Sequence, residues 1–278
     1  MANRFFLATF VAVGVAAGSL AACSSPAGFT PVLAARQGAD ERAPQRQRER
    51  RPRLRSVGEP GRVAAADFTY ARTAREEGLA AAASASVAPG ALLHLAAGPI
   101  EAGRWIGQLA ADARPGQWAP DSVWSSCDGT LAVSQGRYRL ADGLVGTYVR
   151  VWALQGDRRY KWTYDLASPD NPQPPPEPAR DVPGGPDVIV VETLNSLTGR
   201  VADCPQRGAA RPAAVQAPPA NAALAGGGTS DDATLAWTFE HRANGERVFT
   251  ADYLRDGRWQ RAVELRAAPA AVEGGANG

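Results

Sequence analysis

The chain has 278 residues, 30 Lys+Arg against 28 Asp+Glu, 45% apolar residues, 29 Gly and 22 Pro, which allows one or two domains joined by a good deal of loop. The near balance of charge excludes a nucleic-acid-binding protein as the default, because such a protein needs a concentrated positive field. Two His and three Cys are too few for a metal cluster, so neither a metal nor another cofactor is expected, whereas seven Trp, six Tyr and seven Phe can anchor a core.

Arg4 precedes an apolar run over 5–15 broken only by Thr9 and Gly14, and small residues follow to Cys23. The run is too short to span a bilayer, but it has the charged start, apolar middle and small-residue end of an export signal. Leu20-Ala21-Ala22-Cys23 resembles the lipobox of bacterial lipoproteins. That resemblance implies a signal peptide over 1–22, acylation of Cys23 and a membrane anchor through the N-terminal lipid. The alternative is an ordinary secretory signal with a chance Cys. Ser24 in place of Asp implies the outer membrane, facing the periplasm.

Residues 24–60 hold eight Arg against four acids and little to bury, so 23–62 reads as a basic disordered tether. The sharper alternative is a basic strip lying on anionic headgroups. From Val63 the chain can fold. The Pro-free, Ala-rich stretch 64–87 places Phe68, Ala71, Leu79 and Ala82 on a helical stripe, and Pro89-Gly90 ends it. Residues 91–95 form a short apolar strand or turn, and Pro99 opens a second, shorter helix through Trp105 and Leu109.

From Trp118 the period changes. Residues 130–140, 144–154 and 160–166 are strands separated by Asp142-Gly143 and Gly156-Asp157 turns, with Tyr148, Arg150, Trp152 and Leu154 on one face and Val149, Val151 and Ala153 on the other. A curved antiparallel meander packed on helices is the simplest product.

These residues carry a resemblance. Asp67-Phe68-Thr69-Tyr70-Ala71-Arg72, Glu76 to Leu79, Trp105, Trp118-Ala119-Pro120, Asp128-Gly129, Gly146-Thr147-Tyr148, Val151-Trp152 and Tyr160-Lys161-Trp162 with Asp165 are similar to the SnoaL-like and ketosteroid-isomerase-like proteins of the nuclear transport factor two-like superfamily. The resemblance covers 63–167. It implies an α+β fold: a cone of curved antiparallel sheet wrapped around N-terminal helices, with an apolar pocket for a small ligand and homodimerisation through the outer sheet face. Trp105, Tyr148, Trp152 and Trp162 are the candidate pocket lining. The family's enzymes use a pocket carboxylate or His as base, but no matching motif carries over. Asp165 and His94 are the catalytic candidates, Asp165 reading more simply as a carboxylate capping a turn before Ser168-Pro169 and His94 as a core or pocket-rim residue.

Residues 168–187 read as a Pro-rich loop, 188–267 as additional strands completing or extending the sheet, and 268–278 as a disordered tail. Val188 to Val191 reads as a short buried strand, 205–228 as an Ala-Pro-Gly loop, and hairpins turn at Asn244-Gly245 and Asp256-Gly257. Residues 230–237 parallel 126–133 in sequence, which fits either a duplication or two meanders with common turn residues. With Cys23 acylated, Cys127 and Cys204 are the remaining thiols, and an oxidising periplasm is expected to join them, two buried free thiols being the alternative. Gly-x-Ser-x-Gly and phosphate-loop motifs are missing, and no carboxylate or Cys stands at metal-ligand spacing from His94 or His241, the latter expected to be solvated near its turn. The sequence thus predicts a lipid-anchored envelope protein with a binding or interaction domain, against the alternative of a small-molecule isomerase or hydrolase using Asp165 or His94.

Overall fold

Pro60 opens α1 (Pro60–Glu77), where its missing N–H costs nothing, and Val63, Ala64, Asp67, Tyr70, Ala71 and Ala74 bury one face at steps of three and four. The computed structural model describes residues 57–110, 113, 115–175, 196–205 and 222–269. The export signal, Cys23, most of the tether, much of the Pro-rich loop, the strand expected at 188–191 and the tail beyond 269 lie outside the described residues. The single long helix is in fact two: Gly78, at φ +94°, separates α1 from α2 (Leu79–Ser86). The buried stripe is also rotated from the one expected. Phe68 is 37% exposed, while polar Asp67 and Tyr70 turn inward.

β1 (Val87–Leu95) runs through Pro89-Gly90 by means of a bulge between Val87 and Leu92. β2 (Gly98–Glu101) pairs back on it, so the helix expected from Pro99 shrinks to α3 (Ala102–Ile106). β3 (Gln117–Ser125), a further strand, pairs antiparallel with β4 (Leu131–Arg139), which forms the expected antiparallel meander with β5 (Val145–Leu154) and β6 (Tyr160–Pro169). β1 lies parallel to β6, and β7 (Thr198–Val201) lies parallel to β3. The result is a curved, unclosed seven-stranded sheet in the order β2-β1-β6-β5-β4-β3-β7, mixed rather than wholly antiparallel.

The remaining strands, β8 (Ala222–Thr229), β9 (Leu235–Arg242), β10 (Arg247–Arg255) and β11 (Arg258–Ala267), form a second, antiparallel sheet ordered β11-β10-β9-β8. β8 occupies the Gly-rich stretch that reads as loop in the sequence. Its glycines admit the rings of the neighbouring strand: a Cβ on Gly226 would lie 2.6 Å from Phe239 Cε1.

The layers follow from side-chain alternation. Val149 and Val151 of β5, with Trp124, Val133, Tyr164 and Leu166, meet Leu235, Trp237, Phe239 and Phe249 of the second sheet in one core. Trp152 and Trp162 pack on Val63, Tyr70 and Ala74 of α1 in the other. In β6 the register passes from Trp152↔Trp162 to Val151↔Tyr164, leaving Thr163 as an extra residue that sends Trp162 and Tyr164 to opposite faces. The outer side of the second sheet bears an alternating chain of ion pairs through Asp252, Arg261, Glu264, Arg266, Glu246, Arg242 and Glu240.

Candidate functional site

Arg150 is 6% exposed on the helix-facing side of β5, and it recruits a carboxylate from each direction. Its Nη1 donates to Asp67 Oδ1 on α1 at 2.6 Å, and its Nε donates to Asp165 Oδ2 on β6 at 2.5 Å. Asp67 also accepts from Trp118 Nε1, Ser134 Oγ and Tyr148 Oη, so its two oxygens take four hydrogen bonds. Tyr70, Tyr148, Trp118 and Trp152 surround the guanidinium with ring centroids at 4.8–5.8 Å. Burial opposes the charge on Arg150, but Asp165 and Asp67 outweigh it and hold the guanidinium above its ordinary range. Burial likewise pushes Asp165 up while Arg150 pulls it back. It also raises the Tyr70 and Tyr148 phenols, which stay protonated.

A second polar chain crosses the two-sheet core. His94 of β1, 2% exposed, places Nδ1 2.7 Å from Tyr164 Oη and Nε2 3.1 Å from His241 Nδ1. Burial, then the neighbouring His241 and Arg247, lower His94 to about 4, so it is neutral at pH 7. Arg247 donates to the carbonyls of His94 and Ala268, and its Nε is buried without a partner.

The two similar segments, 126–131 and 230–235, face each other. In the first, Asp128 Oδ1 accepts from Ser126 Oγ, Thr130 N and Thr130 Oγ1; in the second, Asp232 Oδ1 accepts from Ser230 Oγ, Thr234 N and Thr234 Oγ1. The exchange across the pair is reciprocal: Asp128 N donates to Asp232 Oδ2 at 2.8 Å and Asp232 N to Asp128 Oδ2 at 3.0 Å. Cys127 N donates to Thr234 Oγ1 and Asp231 N to Thr130 Oγ1, completing a local two-fold. Every ligand of each carboxylate oxygen is a chain N–H or hydroxyl, which makes the pair a staple between the sheets. Beside it Cys127 and Cys204 form the expected disulfide, with Cα atoms 5.1 Å apart.

Open space lies elsewhere, at one end of the first sheet. A groove of about 1140 Å³ runs between α1 and the β3–β5 end, with Phe68, Arg75, Trp118, Arg137, Tyr138 and Arg139 among its walls. Pro174 and Pro175 line another side, held by Gln173, whose amide bonds both the N–H and the carbonyl of Val145 at 3.0 Å.

The sequence candidates fall in different places. Tyr148, Trp152 and Trp162 are buried between helices and sheet, and Trp105 packs half-buried beside them; none lines the groove. Asp165 does not cap a turn: it lies within β6 and is tied to Arg150, a buried cation that needs its charge. His241 is not simply solvated but is drawn to His94, because β9 packs on β1 through the two-sheet core. Asp67 and Ser134 were invisible as partners, yet a signal for them existed. A cation alternating with Tyr148 and Trp152 on a buried face requires a carboxylate opposite.

No family model matches the sequence, and no curated protein is similar to it. Among solved structures, a protein of unknown function with cystatin-like fold from Methylobium petroleophilum PM1 is 16% identical over 45% of this chain and 85% of that one, with a TM-score of 0.32. A "putative ketosteroid isomerase" from Shewanella frigidimarina NCIMB 400 is 16% identical over 37% of this chain and 92% of that one, with a TM-score of 0.30. Likeness of this size decides neither family nor activity.

Proposed function

We propose that this protein is a lipid-anchored envelope protein, acylated at Cys23 and held off the outer membrane by a tether that ends before Gly58 rather than at 62, since the Gly58 N–H already donates to the Cys127 carbonyl and α1 starts at Pro60, and that its folded body is a non-catalytic binding module of the nuclear transport factor two-like cone type. The observation that carries the binding reading is where polar chemistry and space lie. The cone interior is filled by Tyr148, Trp152 and Trp162 around a saturated Asp67–Arg150–Asp165 centre, while the groove with room for a ligand lies outside it. An isomerase or hydrolase needs a base that faces its substrate. Asp165 is committed to Arg150 and His94 to Tyr164 and His241, and neither lines the groove. The filled interior leaves no room for the small ligand that the resemblance implies, which supports reading the groove as the binding surface of this module. The sheet face that the resemblance assigns to homodimerisation carries β8–β11 of the same chain, which supports a monomeric body.

Intact-mass analysis of the protein extracted from cell envelopes tests the anchor. The expected mature chain begins at acylated Cys23 and loses its lipid in Cys23→Ala. An unmodified chain that retains residues 1–22 overturns it.

A further inference from the structure

The groove carries charge and aromatic surface that the fold does not use. Arg75 of α1 and Arg139 at the end of β4 line it, are exposed, and have no ion pair among the described residues. Arg137, beside them, is already fixed by Asp170 and Thr147. Among the described residues, Asp142 is the one acid in the lining, and its carboxylate caps its own turn at Leu144 N. The groove wall is therefore net cationic, and a ligand that neutralises it must be anionic.

The aromatic part is rigid before anything binds. Trp118 is half-buried, its Nε1 is held by Asp67, Tyr70 meets it edge-on at 4.9 Å, and Arg150 lies 5.6 Å from its ring. Phe68 and half-buried Tyr138 stand near it in the lining. Preorganised aromatic surface of this kind receives extended proline-containing chain, because such chain loses little entropy on docking and has few donors to satisfy. The protein's own Pro174-Pro175 already lines this groove, fixed by the Gln173 amide on the N–H and carbonyl of buried Val145, so the groove accommodates proline-containing chain. The groove is an open cleft, so an acyl chain laid in it would remain half in water, whereas an extended peptide tolerates that.

We infer that the groove binds an extended, acidic, proline-containing segment of a partner protein, with Arg75 and Arg139 reading its carboxylates and Trp118, Tyr138 and Phe68 its prolines. This rests on the reading of the folded body as a binding module and not on lipidation at Cys23, so the two fail separately.

The test uses the full mature chain in mild non-ionic detergent and fluorescence anisotropy of a labelled peptide of repeated Glu-Pro-Leu-Pro units. Saturable binding is expected. It should weaken about tenfold or more in the Arg75→Glu/Arg139→Glu variant and with rising salt, be unchanged in Arg258→Glu on the second sheet, and vanish for the Lys-Pro-Leu-Pro counterpart. Wild-type far-UV circular dichroism and melting temperature in the double variant show that it folds. No saturation, equal binding of the lysine peptide, an unaffected double variant, or binding of anionic phosphatidylglycerol micelles in place of any peptide binding each overturns the inference. Peptide binding by a chain found to be unacylated would sink the anchor and leave the groove standing; failed binding by an acylated chain would do the reverse.

Discussion

Replacing Arg150 by Met removes a buried cation and leaves two buried carboxylates without their counter-charge, Asp67 keeping only neutral donors in Trp118, Ser134 and Tyr148. Asp67 is 0% and Asp165 7% exposed, so neither can recover its hydration without opening the helix layer. Breaking a buried pair in this way costs about 3–5 kcal/mol, which for a body of this size lowers the melting temperature by roughly 10 °C. The pH dependence distinguishes this mechanism from simple loss of packing. Burial already pushes the Asp165 carboxyl up and Arg150 pulls it back, so without Arg150 it rises further and its protonated form fits the core. The stability of the variant is then fully present below the unfolded carboxylate range and is lost as pH rises through the raised folded value. Wild type and variant should therefore differ most at neutral pH and converge toward about pH 4, near the unfolded Asp value. Urea unfolding followed by Trp fluorescence at both pH values reads the gap directly, and contributions common to both proteins cancel. The triple variant Asp67→Asn/Arg150→Met/Asp165→Asn should regain much of the loss at neutral pH, since no charge is left unpaired. A gap below about 1 kcal/mol, or one equal at both pH values, would refute the account of Arg150 as the counter-charge of this centre.

Wild type itself should lose stability on acidification through His94. Its folded value of about 4 lies below the unfolded 6.5, so the unfolded chain takes up the proton first, and stability falls as pH drops across that window by at most about 3 kcal/mol; His94→Gln should flatten the slope in urea melts. Cys127→Ser/Cys204→Ser opens a link across a sequence separation of 77 residues and should cost about 4 kcal/mol in the chain-entropy model, seen as a lower urea midpoint that dithiothreitol reproduces in wild type. The twin loops should couple: Asp128→Ala removes the acceptor of the Asp232 N–H and Asp232→Ala the acceptor of the Asp128 N–H, and either change loosens the turn that aims the other bond, so their double-mutant cycle should show about 0.5–3 kcal/mol of non-additivity, and additive effects would mean that the loops act independently.

Much of the meander was legible in the residues. The Asp142-Gly143 and Asn244-Gly245 turns demand positive φ at glycine and supply it, and alternation in β5 placed Tyr148, Arg150 and Trp152 opposite Val149 and Val151 as observed. The likeness of 126–133 to 230–237 is matched by a hydrogen-bonded two-fold, though common turn chemistry alone could produce such a likeness in sequence. The failures share a cause. Helical periodicity turns Phe68 inward and leaves Asp67 out, because it counts apolar residues and cannot see that a carboxylate has a buried guanidinium waiting for it. A glycine run reads as loop until Phe239 and Trp237 are laid across it, and so β8 is not legible in the sequence.

Turn residues and strand alternation thus determined the hairpins at Asp142-Gly143, Gly156-Asp157, Asn244-Gly245 and Asp256-Gly257 and which residues of β5 share a face, since each depends on neighbours a few residues apart. Tertiary structure alone decided that the late strands form a separate sheet covering the first. It also brought His94 to His241, closed Asp67 and Asp165 on Arg150, filled the space between helices and sheet, and left the open space in the groove beside Trp118. These outcomes depend on how distant strands pair and on one inserted residue at Thr163, and a period of two along the chain does not record either.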